Sequence, residues 1–206
     1  NDISMIFQEP MTALNPVFHI GYQISEVMIQ HQNLSKKQAL SRAIEMLKLV
    51  QIPLPEQIIN QYPHQLSGGM RQRVMIAMAI ACSPEILIAD EPTTALDVTV
   101  EAQILELIDD LKHRLHSSII MISHDLGVVA EIADKVAVMY SGKIVESADV
   151  YSIFNHPKHP YTRGLLEAIP DMDKDRGQRL KEIRGVVPSP GEIRKGCRFQ
   201  TRCDYV

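Results

Sequence analysis

The sequence predicts an α/β domain built on a parallel sheet with helices over both faces. Two apolar, strand-sized runs, residues 86–89 and Ser118–Ile122, alternate with longer segments of helical periodicity, and each run ends in a polar turn. The bulk agrees: 206 residues, 45% hydrophobic and 22% charged, suffice for one cored domain and a short appendage. That composition argues against disorder. A net charge of −4 leaves no broad basic surface, so nucleic acid is not an expected partner.

Residues 2–7 read as a strand feeding the polar loop Gln8-Glu9-Pro10, and Asn15-Pro16 marks a turn. A helix is predicted over 20–30. Ser35 then caps a second helix, with Gln38 as its capping-box partner, and Leu40, Ile44, Leu47 and Val50 recur along it at helical spacing. Pro53 and Pro55 close it. Behind Ser67-Gly68-Gly69 a helix runs to Cys82 and stops at Pro84. The strand at 86–89 delivers Asp90-Glu91-Pro92. Val98–Leu115 is a long helix with Ile104, Ile108, Leu111 and Leu115 on one face. Ser118–Ile122 is predicted as a buried strand ending in Ser123-His124-Asp125, followed by a helix through 128–133. Residues 136–140 and 143–146 flank Ser141-Gly142 as a hairpin. Beyond Val150 the prolines at 157, 160, 170, 188 and 190 break the chain, which reads as an extension over 151–206 with little core. No apolar run is long enough to span a bilayer and no secretory signal is visible. Three cysteines do not suggest a secreted disulfide framework, and a cytoplasmic location fits best.

Four places carry chemistry. Asp90 and Glu91 stand at the C-terminal end of an apolar strand, where α/β ligand sites lie. Asp90 can hold Mg²⁺, which prefers hard oxygen ligands, and Glu91 can orient or deprotonate a water. By themselves the same acids read as an exposed turn. Ser67 can cap the helix behind it, while Gly68 and Gly69 let backbone approach a ligand and the helix N-terminus attracts phosphate. Alone, this is an ordinary N-cap. His124 follows a strand and can meet a γ-phosphate, and the Gln8 side chain can meet Mg²⁺ or water, although each alone reads as a loop residue. Asp97 can equally just cap the helix after it. Of the cysteines, Cys82 reads as a small core residue. Cys197 and Cys203 lie in the Pro/Gly-rich tail, where two thiols can bind a metal or iron–sulfur cluster only with further ligands, and two free thiols are the plainer reading.

Order decides among these alternatives. The succession Gln8, Leu66-Ser67-Gly68-Gly69-Met70-Arg71-Gln72, Ile86 to Asp90-Glu91, Ala95-Leu96-Asp97 and His124 resembles the ATP-binding cassette family. Gln8 matches its Q-loop, residues 66–72 its signature, 86–91 its Walker B strand, 95–97 its D-loop and His124 its switch histidine. Met70 stands where the signature commonly has glutamine. Finer matches point to the dipeptide and oligopeptide importer branch, which includes nickel and glutathione importers. They are Met5 to Pro16, with Phe7-Gln8-Glu9-Pro10-Met11 as in one of its two paired ATPase subunits, then Tyr62-Pro63-His64-Gln65, Asp97-Val98-Thr99-Val100, His156 to Arg163, and Gly196-Cys197-Arg198-Phe199.

The resemblance implies a P-loop NTPase-type core within residues 1–150, with a helical subdomain inserted at about 9–82 and the importer extension at 151–206. It implies ATP and Mg²⁺ as ligands. Glu91, His124 and Gln8 would then be catalytic, Asp90 and Gln8 would face Mg²⁺, and Ser67, Gly68, Gly69, Gln72 and Asp97 would contact nucleotide. It further implies a head-to-tail dimer with a second ATPase subunit, two membrane permease subunits, an extracytoplasmic substrate-binding protein, and a peripheral place on the cytoplasmic face of the membrane. The loop 9–16 would face the permease, with Met11, Leu14, Val17 and Phe18 as apolar contacts. The family also uses Gly-x-x-x-x-Gly-Lys-Ser/Thr to cradle phosphates. The only Gly-Lys pair here is Gly142-Lys143, followed by Ile144. The sequence, which starts at Asn1 in mid-pattern, is therefore read as a fragment or a truncated gene without the Walker A loop and N-terminal β subdomain, inactive by itself. A chromosome-maintenance ATPase would need a long coiled coil between Gln8 and Ser67, and a translation-factor ATPase a second cassette. Neither is present in the 206 residues.

Overall fold

The computed structural model describes residues 2–94, 96–169, 182–189 and 196–206. Ala95, Pro170 and Pro190, named above, lie outside them. The chain divides into two compact units, Asn1–His124 and Asp125–Val206.

The first unit opens with β1 (Ile3–Ile6) and the short helix α1 (Pro10–Ala13), begun by a proline whose missing N–H costs nothing at that position. Helices α2 (Ile20–Gln32) and α3 (Lys36–Leu49) follow. The capping box read from the sequence is present: Ser35 accepts from the Gln38 N–H, and the Gln38 side chain accepts from the Ser35 N–H. The buried face of α3 keeps Leu47 and Val50 of the predicted stripe, with Ile44 packed against the core, but takes in Ala39 and Ala43 in place of Leu40. Ala39, Ala43, Met46 and Leu47 are buried, whereas Leu40 is exposed. Small residues set this face, because α2 approaches closely. On α2, a Cβ added to Gly21 would sit 2.4 Å from Ile59 Cγ1 and 2.8 Å from the Ile59 carbonyl, so the Gly21 N–H can reach that carbonyl at 2.8 Å only with no side chain in the way.

After α4 (Pro55–Ile58) and a 3-10 turn at Pro63–Gln65 comes α5 (Gly68–Ile80), capped by Ser67, which accepts from the Met70 N–H. Its fully buried residues, among them Val74, Ile76 and Ala77, form the centre of the core with Ile24, Met28 and Leu47. Strand β2 (Ile86–Asp90) is central in a parallel sheet ordered β1-β2-β3, with Ile3 opposite Ile86 and Ile86 opposite Ser118 of β3 (Ser118–Ile122). Between them α6 (Val98–Leu115) buries Ile104, Leu105, Leu107, Ile108 and Leu111. Strand β3 is not the doubly buried strand expected. It is the last strand in the described sheet, and Ile120 and Ile122 on its open face are exposed.

In the second unit α7 (Leu126–Ile132) is capped by Asp125. The predicted hairpin is β4 (Lys135–Tyr140) and β5 (Lys143–Asp149), turning through Ser141 and Gly142 at φ 47° and 75° and forming its own two-stranded sheet. It groups with α8 (Val150–Asn155), α9 (Pro160–Glu167) and the tail. The compact unit that holds the hairpin thus begins at Asp125 and includes the extension read at 151–206. A small aromatic cluster of Tyr140, Tyr161 and Phe199 gives the extension a core of its own, against which the Arg202 guanidinium rests. No helix among the described residues is long and apolar enough to cross a membrane.

Candidate functional site

At the C-terminal end of β2, Glu91 gathers side chains from three different loops. Gln8, just past β1, donates through Nε2 to Glu91 Oε2 at 2.8 Å. The Thr94 hydroxyl donates to the same oxygen at 2.9 Å. His124, just past β3, sits with Nδ1 3.1 Å from Oε1. Parallel register makes this meeting possible: Ile6 faces Ala89 across one ladder, and Asp90 faces Ile122 across the other, so all three strands end at one level. Asp90 is half-buried beside Glu91. The carboxylate is about a quarter exposed while His124 is largely open to solvent, so the cluster is a rim and not a sealed pocket.

Glu91 is also held by its backbone. It is left-handed at φ 42°, which an L residue adopts at a cost of about 1 kcal/mol or more unless its surroundings enforce it. Two hydrogen bonds do so: its N–H donates to the Ile122 carbonyl at 3.0 Å, and its own carbonyl accepts from the Thr94 N–H at 3.1 Å. Donation from His124 first, then Thr94 and Gln8, favours the ionised carboxylate and holds the Glu91 carboxyl below its ordinary range. Removing His124 removes the largest of these causes. In His124→Ala the Glu91 carboxyl will titrate at higher pH than in the parent, read by carbonyl NMR. An unchanged midpoint means that the His124 contact does not persist in solution.

The Ser67 turn lies at the start of α5 with Ser67 and Gly68 exposed. Gly69 serves packing as well as access: a Cβ there would meet Val100 Cγ1 at 2.8 Å, so α5 and α6 touch where glycine leaves room. Asp97 accepts from the Val100 N–H at 3.0 Å and is the N-cap of α6, the plainer of its two sequence readings. Gln72, read from the resemblance as a nucleotide contact, is 1% exposed, and its Nε2 donates to the Pro92 carbonyl at 2.6 Å, so its side chain points into the protein. Sequence reasoning missed Thr94, for which the only signal was its place one turn after Glu91. It also missed Arg71, whose guanidinium donates to the Pro63 carbonyl at 2.8 Å and packs on Met11 Sδ, joining α5 to the loop after Gln8.

Leu14 corrects the sequence reading. Of the four apolar loop residues it is 2% exposed and belongs to the core cluster, whereas Met11, Val17 and Phe18 are exposed. Gln23 shapes this loop: buried, it accepts from the Asn15 N–H and donates to the Asn15 and Phe18 carbonyls. In the tail Cys197 Sγ lies 3.9 Å from His159 Nε2. Among the described residues no group of three or more His, Cys, Asp or Glu can hold a metal ion, so the iron–sulfur expectation gains no support.

The chain is similar to known proteins along its length. Residues 1–94 match the family model of ABC transporters, and residues 145–206 match that of the oligopeptide/dipeptide transporter C-terminal region. The oligopeptide transport ATP-binding protein AppD of Bacillus subtilis is 58% identical over 98% of this chain and 62% of its own length. The dipeptide transport ATP-binding protein DppD of Haemophilus influenzae is 53% identical over 99% and 62%. The chain thus spans about three fifths of the curated relatives it matches. Among solved structures, cbiO1 of Clostridium perfringens, part of an ABC transporter complex, superposes with a TM-score of 0.65 at 28% identity, covering 75% of this chain and 60% of that one. A dimeric ATP-binding cassette in a post-hydrolysis state with ADP and phosphate gives 0.62 at 28%, covering 73% and 63%.

Proposed function

We infer that this chain belongs to the ATP-binding proteins of the oligopeptide and dipeptide ABC transporters, and that the protein containing it hydrolyses ATP to energise peptide import. The observation that carries the reading is the convergence of Gln8, Thr94 and His124 on Glu91, next to Asp90, at one end of the sheet.

The residues fit the ligands this implies. Asp90 is a hard oxygen donor suited to Mg²⁺, and the α5 N-terminus offers Ser67 and free N–H groups suited to phosphate oxygens. When bound, the metal would supply charge neutralisation at the phosphates. Glu91 orients the attacking water and accepts its proton, and its depressed titration makes it an orienting group more than a strong base at neutral pH. His124 and Gln8 hold the carboxylate and, standing at the rim, sense what lies beyond it. Two ATPase subunits closing head to tail would put each Ser67 turn against the other's nucleotide. The chain then sits peripherally on the cytoplasmic side of the membrane against two permease subunits served by an extracytoplasmic binding protein. Met11, Val17 and Phe18 supply the apolar contacts.

The test uses the transporter assembled in vesicles with its permease and second ATPase subunit. Uptake of a labelled oligopeptide and phosphate release should both depend on ATP. Val17→Ser with Phe18→Ser should lower peptide uptake per ATP severalfold with only a small fall in melting temperature, because Val17 is exposed and Phe18 loses little beyond its ring contact with Tyr22. No ATP-dependent peptide uptake by the parent complex would overturn the reading.

A further inference from the structure

We propose that Gln72 is a positioning residue that ties the Ser67-Gly68-Gly69 turn to the peptide following Glu91, so that the two cannot move independently. The inference deepens the reading above and rests on it for the roles of the two ends, but the tie itself is a matter of geometry.

The first turn of α5 presents one face to the segment 92–100. Gly68 approaches Leu96, the space beside Gly69 is filled by Val100, and Gln72, one turn on from Gly68, reaches the Pro92 carbonyl. Two of these contacts are apolar and can slide. The third is directional, 2.6 Å long and almost wholly shielded from water, so breaking it leaves a carbonyl and an amide without partners in a dry place. The Pro92 carbonyl is also a well-chosen handle. Proline restricts its own φ, and the residue before it is the left-handed Glu91. With that φ fixed and the Glu91–Pro92 peptide planar, a displacement of Pro92 as a whole is passed on to Glu91. On its other side Glu91 is fastened by Ile122 and by its three side-chain donors. Gln72 is the buried side-chain tether on the α5 side. With the Ser67 turn serving one nucleotide and Glu91 the other, the Gln72 amide is a short path by which one subunit feels both sites.

The experiment compares Gln72→Met, which keeps the volume and removes the donor, with Gln72→Asn, which keeps the amide and withdraws it by one methylene. In the ligand-free protein the amide protons of Glu91 and Thr94, which close the loop onto Ile122 and onto Glu91 itself, should exchange severalfold faster in both variants than in the parent, as the loop loses its anchor on α5. In the assembled transporter kcat for ATP should fall about 10-fold, with KM for ATP within about twofold, since misplacement of a reacting group by a fraction of an ångström acts on the chemical step. Unchanged exchange at both amides in both variants overturns the tether, whatever the turnover. An unchanged kcat with faster exchange overturns its mechanistic weight. If instead Glu91→Gln leaves turnover intact, the hydrolytic role of Glu91 fails, and the exchange measurement still decides the tether.

Discussion

Glu91→Gln in the assembled transporter will lower ATP turnover by about 100-fold or more while nucleotide affinity stays within about twofold of the parent. Glutamine keeps the shape of the side chain and its oxygen still accepts a hydrogen bond, so the loop past β2 is not expected to rearrange. What disappears is the negative charge that draws a water's proton and that His124, Thr94 and Gln8 all address. Asp90 is untouched, so the place proposed for the metal remains. A complex that binds and closes but does not turn over should accumulate as a closed dimer. Phosphate release, nucleotide titration and sedimentation on one preparation read the three quantities. Parental turnover would remove Glu91 from the catalytic role.

Leu14→Ser will destabilise the first unit by about 3 kcal/mol, the scale for truncating a buried leucine, while Phe18→Ser, which loses its ring contact with Tyr22, costs only about 1 kcal/mol. Both residues belong to one short apolar loop, yet Leu14 is 2% exposed and packs in the core cluster, and Phe18 is 43% exposed. Serine at 14 leaves a cavity and buries a hydroxyl with no partner provided for it. Urea unfolding of the two variants side by side decides the matter. Equal midpoints would mean that Leu14 is not seated in the core in solution.

That contrast shows where the sequence was legible. Signals confined to a few neighbouring residues translated directly into structure. Ser35 with Gln38, Ser67 and Asp97 cap the helices they precede, and α6 spans Val98–Leu115 as its periodicity indicates. The ordered series from Gln8 to His124 was legible because each member follows a strand or opens a helix, and parallel strands bring such ends together. Signals that depend on a distant partner were not legible. The inward turn of Leu14 and of Gln72 is decided by what lies across the core, at Pro92 in the second case. On α3 the burial of Leu47 and Val50 was legible, but the exposure of Leu40 and the burial of Ala39 and Ala43 were not, because alanines register weakly in a count of large apolar residues, although close packing favours them. The exposed face of β3 depends on which strands pair, and an apolar run does not announce its neighbours.

The left-handed backbone at Glu91 sets two demands on one position against each other. Glycine would sit there without steric penalty, but it would delete the carboxylate together with the contacts that Gln8, Thr94 and His124 make to it, and it would widen the conformational freedom of the unfolded chain. Relief of the backbone and loss of the anchored charge therefore come as one change at this residue, and any gain in heat resistance has to be sought elsewhere in the fold.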